Sequence, residues 1–201
     1  MTGGLSIPRD DLDAIATDLW ARLVRGKADR KSPWHTPVVG TADGALRVMV
    51  LRHVDAVAGA LRFHTDARAP KATAVGASAR VNILFYDAGA KLQLRCSGVG
   101  RIAADGGMAD AAWAASAPSS RRCYLAPTAP SSRTDAPTSG LPADYDARLP
   151  TMAESEAGRG NFAALTIMLD RIDWLYLAHD GHRRALFERQ SDQWAGCWLV
   201  P

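Results

Sequence analysis

The chain has 201 residues, 47% of them hydrophobic and 22% charged, which is long enough to bury a core as one domain and too apolar for a disordered chain. Its formal net charge is only +3, with no block of like charges and no run of about 18 apolar residues, so neither nucleic acid nor a membrane is expected as a partner. Cys96, Cys123 and Cys197 are far apart and share no metal-ligand spacing, which suits a reduced, cytoplasmic protein without a metal site.

Leu12, Ile15, Ala16, Leu19, Trp20 and Leu23 recur at helical spacing behind an acidic first turn, predicting an amphipathic helix over 10–24. Asp10, Asp11, Asp13 and Asp18 also break any apolar stretch that a secretion signal would need. After a polar linker, residues 36–41 and 46–53 read as strands around an Asp43-Gly44 turn. Residues 60–65, 80–86 and 91–102 read as three more, with a short helix over 70–76 between them. An alanine-rich helix follows over 106–115. Residues 118–142 are rich in Pro, Ser, Thr and Ala without periodicity, the signature of a long flexible loop. A helix over 144–157 and strands over 163–169, 174–178 and 184–189 complete the chain. Five early strands joined mostly by hairpin-length turns predict a mainly β fold, an antiparallel barrel with flanking helices, as a single domain over 1–201.

Three segments offer chemistry. Arg47-Val48-Met49-Val50-Leu51-Arg52 reads as a buried strand with a guanidinium at each end, although a core strand whose arginines reach solvent accounts for it equally well. Phe63-His64-Thr65-Asp66-Ala67-Arg68-Ala69-Pro70-Lys71 turns from a strand into a helix carrying Arg68 and Lys71. Such a turn suits a phosphate, and it equally suits a solvated turn capped by Asp66. Gln93 and Arg95 lie two apart on one face of a strand, where an amide can pair with a heterocycle edge or simply face water. Near the C-terminus, Trp174 and Tyr176 precede and Phe187, Trp194 and Trp198 follow His182, Arg183 and Arg184, a composition that walls a planar ligand or fills a barrel core. No nucleophile elbow or glycine-rich phosphate loop occurs.

Taken in order, RVMVLR at 47–52, FHTDARAPK at 63–71, KLQLRCSG at 91–98 and IDWLYL with GHRRALF over 172–187 resemble the successive motifs of the pyridoxamine 5′-phosphate oxidase-related FMN-binding family. The resemblance runs from about Trp34 to Pro201. It implies an FMN-binding split barrel and a homodimer with FMN at the subunit interface. It further implies that Arg47 and Lys71, with Arg68 beside them, hold the phosphate, and that Val48, Met49, Val50 and Leu51 run under the ring. His64, Thr65 and Gln93 would bond the cofactor, Arg183 and Arg184 would face the ring, and Arg52 would stand near a small-molecule substrate. Ser131 and Ser132 match a serine-bearing loop that reaches the phosphate.

The departures place the chain on a divergent branch. Pro130 stands where the oxidase has a glutamine, the Tyr, Arg and Ser that grip the oxidase's substrate phosphate are replaced within Ser120-Arg121-Arg122-Cys123-Tyr124, and His182-Arg183-Arg184-Ala185 lacks the following histidine. Leu175 replaces the flavin-stacking tryptophan if Trp174 keeps its register. The expected function is an FMN-dependent oxidoreductase of unspecified substrate, with no catalytic residue assigned. The alternatives are a non-catalytic flavin- or ligand-binding module and a dimeric scaffold without flavin.

Overall fold

The computed structural model describes residues 9–201. Helix α1 (Leu12–Ala28) starts at Asp11, whose carboxylate accepts the backbone N–H groups of Asp13 and Ala14. Then come β1 (Val38–Thr41), β2 (Leu46–Val48), β3 (Leu51–Asp55), β4 (Ala60–Asp66), α2 (Pro70–Val75), β5 (Ala79–Asp87), β6 (Leu92–Ala103) and α3 (Gly106–Ala114). Short helices α4 (Pro118–Arg121), α5 (Ala143–Ala147) and α6 (Met152–Ser155) lead to β7 (Phe162–Tyr176), β8 (Arg183–Gln190) and β9 (Gln193–Leu199).

All strand pairs are antiparallel, in the order β2-β1-β5-β6-β7-β4-β3. The first and last strands of this path adjoin in sequence, separated only by Met49 and Val50. Residues 46–55 therefore cross from one edge of the sheet to the other and close the barrel. Backbone N–H groups of Met49 and Leu51 donate to the carbonyls of Pro37 and His35 and pin this seam. Strand β7 forks the sheet: its first half pairs with β4, its second half with β8, and β6 lies along the whole of its other side.

Period-two alternation fills the barrel. Val81, Ile83 and Phe85 of β5 point in, while Asn82, Leu84 and Tyr86 point out. Leu92, Leu94 and Cys96 of β6 and Leu165, Ile167 and Leu169 of β7 meet them. The stripe of α1, Ile15, Leu19 and Leu23, packs onto this core. A second cluster of Trp113, Tyr124, Phe162, Ala112 and Ala164 fills the space under α3.

Four expectations need correction. The strand expected over 46–53 is two strands, because the chain leaves β1 and joins β4 within it. The strands expected over 163–169 and 174–178 are one, β7, in which Asp170 is an extra residue between Leu169, paired with Gly98, and Arg171, paired with Ser97. This bulge shifts the buried positions from odd to even numbers and hides the continuity from a period-two reading. Gly98 is required there, since a Cβ would lie 2.1 Å from the carbonyl oxygen of Met168. Strand β9 was not anticipated, and the helix expected over 144–157 is broken into α5 and α6 around Pro150. The loop expected over 118–142 opens with α4 and a 3-10 turn, Arg122–Leu125, fixed by buried Arg121. That guanidinium donates to the Trp113 carbonyl, Ser155 and Glu156, and lies over the Trp113 ring.

Candidate functional site

The barrel seam borders a cleft of about 440 Å³ lined by Arg47, Val48, Met49, Val50 and Arg52. His64, Thr65 and Asp66 at the end of β4 and Lys71 in the first turn of α2 form its second side. Ser120, Cys123, Tyr124 and Pro130 close the third. Arg47 is aimed by one nitrogen, Nη1, which donates to Thr41 Oγ1 at 2.8 Å and to the Val39 carbonyl at 3.3 Å. Neither Arg47 nor Lys71 forms an ion pair among the described residues.

The electrostatics of this cleft are cationic and only partly relieved. Burial pushes the Lys71 ammonium below its ordinary range, neighbouring Arg47 pushes it further, and Asp66 pulls the other way. His64 is held neutral, down to about 4, by burial and then by Arg52 and Arg62. Its ring meets Phe162 edge-on at 4.8 Å, and its Nε2 is sealed from solvent without a partner. The Nε atoms of Arg52 and Arg62 are sealed and unpartnered as well. Burial raises both the Cys123 thiol and the Tyr124 phenol, so neither is prepared to act as a base.

The remaining sequence candidates lie elsewhere. Leu51 belongs to the core. Arg68 lies outside the cleft lining, and its guanidinium is held by Asp66 and by the carbonyls of Ala126 and Pro127. Ser131 and Ser132 follow Pro130 in an exposed turn, with Ser131 at φ 71° and Ser132 bonded to the Ala129 carbonyl. Gln93 is on the outward side of β6, opposite Tyr86 and Leu175.

The same outward side carries a second groove of about 480 Å³, lined by Val38, Leu46, Leu84, Arg95, Asp173 and Arg184 among others. Asp173 accepts from Arg184 at 2.8 and 3.2 Å and from Arg95. Burial raises this carboxyl, but the two guanidinium groups outweigh it and hold it below the usual carboxylate range. Trp174 is buried in the barrel, and Leu175 stands outside it, paired with Arg184 of β8. Arg183 donates to Asp10 at 3.1 Å.

Asp66, Ser120, Cys123, Tyr124 and Pro130 also line the cleft, although in the sequence they stand out only as a turn cap and as departures from the oxidase pattern, not as site residues. Asp66 was visible as a turn residue, but nothing in a Pro-Ser-Ala-rich stretch shows that a helical turn carries Tyr124 back onto Phe162, 5.2 Å away.

Solved structures share this arrangement of strands. One is a pyridoxamine 5′-phosphate oxidase-related, FMN-binding protein from Nostoc punctiforme PCC 73102, 20% identical over 92% of this chain and 96% of that one, with a TM-score of 0.66. The fold is that of the FMN-binding split barrels. PhzG from Burkholderia lata 383, solved in complex with tetrahydrophenazine-1-carboxylic acid, is 16% identical over 92% of this split barrel and 91% of its own chain, with a TM-score of 0.62. The general stress FMN/FAD binding protein from Xanthomonas citri is 21% identical over 83% and 92%, with a TM-score of 0.50. The sequence matches no family model and no curated protein. The likeness read from the ordered motifs is thus upheld as a split-barrel fold. No helix among the described residues is long and apolar enough to cross a membrane.

Proposed function

We propose that the chain is an FMN-binding flavoprotein whose cleft holds the flavin phosphate between Arg47 and Lys71. One observation carries this reading: two cations from separate elements, the barrel seam and α2, share one cleft, and burial together with Arg47 disfavours the charged form of Lys71. A dianionic phosphate relieves both costs, and each charge-assisted bond to it contributes about 1.5–3 kcal/mol. The cleft volume of about 440 Å³ suits a cofactor-sized ligand, for which pockets span about 300–1,000 Å³. Val48 to Val50 then support the ring, and His64 and Thr65 offer hydrogen bonds from β4.

Gln93, Leu175, Arg183 and Arg184 reach that cofactor from a second copy, so the functional unit in this reading is a homodimer with one site per interface. Leu46 and Val48, 73% and 63% exposed on β2, supply an apolar strip for such pairing. Bound flavin supplies hydride and electron chemistry, which makes the protein an FMN-dependent oxidoreductase. Arg52 is left for the small-molecule substrate. The three unpaired cysteines accord with a cytoplasmic location.

Titrating the purified protein with FMN and with riboflavin, followed by flavin fluorescence, tests the phosphate assignment. Arg47→Ala combined with Lys71→Ala is expected to weaken FMN by at least roughly a hundredfold and leave riboflavin nearly unchanged. Equal FMN affinity in the double variant would reject the site. Bound FMN that no nicotinamide or dithiol donor reduces would favour a non-catalytic binding module.

A further inference from the structure

Arg68 is the residue of the 63–71 motif whose surroundings differ most from those of a phosphate ligand. Its Nε and Nη2 donate to the two carboxylate oxygens of Asp66 at 3.0 and 2.8 Å, and its backbone N–H donates to the same carboxylate at 2.8 Å. Nη2 and Nη1 also reach the carbonyl oxygens of Ala126 and Pro127 at 2.9 and 3.0 Å. The Asp66 side chain is 7% exposed and lines the cleft, whereas Arg68 does not.

Those two carbonyls end the helical turns that bring Ser120, Cys123 and Tyr124 to the cleft, and they begin the run that brings Pro130. A second tie runs in parallel. Asn161 donates to the Tyr124 carbonyl at 2.8 Å, and its own carbonyl accepts from the Ala67 backbone at 2.8 Å. The turn between β4 and α2 therefore fastens a wall that is distant in sequence, and the planar fork of Arg68 spans the gap.

We propose that Arg68 is a positioning residue. With Asp66 it forms a bracket that fixes the Ser120–Pro130 wall over the cleft, and so sets the strength of the flavin phosphate contacts without touching the phosphate. The inference rests on the flavin reading above. A fastened wall keeps water from screening the bonds that Arg47 and Lys71 make, and a loosened one admits it.

The test compares Arg68→Lys, Arg68→Ala and Asp66→Asn with the wild-type full-length protein. It reads the ratio of FMN to riboflavin affinity and, in flavin-free protein, amide hydrogen exchange across 122–130. None of the three variants can rebuild the fork, so each is expected to lower the ratio by roughly five- to tenfold and to accelerate exchange in that segment. A direct phosphate ligand predicts the opposite pattern, in which Arg68→Lys keeps the ratio and Asp66→Asn raises it by freeing a cation and removing a nearby anion. A ratio held in Arg68→Lys or raised in Asp66→Asn overturns the proposal, as does unchanged exchange in all three. Circular dichroism confirms folding, and the conservative lysine variant serves if the others unfold. Failure of the wild type to bind FMN sinks the flavin reading instead, and the exchange measurement still judges the bracket.

Discussion

Val48 pairs with Val38 at one edge of the sheet, and Leu51 pairs with Phe63 at the other, with only Met49 and Val50 between them. The barrel closes through this dipeptide, and the closure places Arg47 and Arg52 on one cleft. Met49 is 6% exposed and its N–H is bonded to Pro37. Met49→Ala is therefore expected to destabilise the protein by about 2–5 kcal/mol in urea unfolding, against about 0.5 kcal/mol or less for Val48→Ala. Equal costs for the two would show that the seam is not under packing constraint.

The exposed strip on β2 bears on assembly. If the proposed homodimer forms through this strip, Leu46→Glu together with Val48→Glu is expected to leave a monomer where the wild type sediments as a dimer, because the introduced carboxylates would have to lose their hydration at the contact. Barrel stability should change little, since both side chains already face water. A dimer that survives both substitutions places the interface on another surface.

Arg47 is aimed by the hydroxyl of Thr41. Thr41→Val removes that acceptor and is expected to cost about 0.5–1.5 kcal/mol of FMN binding, roughly two- to twelvefold, with riboflavin affinity unchanged. A parallel loss for riboflavin would mean that the substitution disturbs the cleft as a whole.

His64 ties stability to pH. Its value in the folded protein is about 4 against an ordinary 6.5, so below pH 6.5 the unfolded chain takes up a proton that the folded one refuses. The contribution of neutral His64 is full above pH 6.5 and is lost as pH falls from there towards 4. His64→Gln is expected to flatten this limb in urea midpoints measured from pH 7.5 to 4.5. Arg62→Met removes one of the opposing charges and should move the His64 titration upward by NMR; an unmoved titration would leave the shift to burial and Arg52.

Local patterning made most of the fold legible. Helix α1, strands β4 to β6 and the hairpin at Asp43-Gly44 follow from apolar spacing and turn chemistry, and each lies close to its expected bounds. What was illegible depends on contacts distant in sequence. The continuous apolar run 48–51 gives no sign that its two ends join different strands, and the exposed β9 lacks alternation. For the site, Arg47, Arg52, His64 and Lys71 line one cleft as the family resemblance of the ordered motifs implied, whereas charge pattern alone fitted a core strand and a solvated turn equally well. The wall carrying Cys123 and Tyr124 depends on Arg68 and Asn161 reaching across the fold, which no spacing rule encodes.

Asp170 has no partner on β6, and the bend it introduces lies where β7 passes from β4 to β8. It therefore sets the splay between the half-barrel behind the cleft and the half that bears Arg184. An unpaired residue has no ladder bond to forfeit, so a single-codon deletion here would straighten the strand while leaving every side chain on its present face. Such a deletion would change the gap between the two half-sites without altering a residue in either.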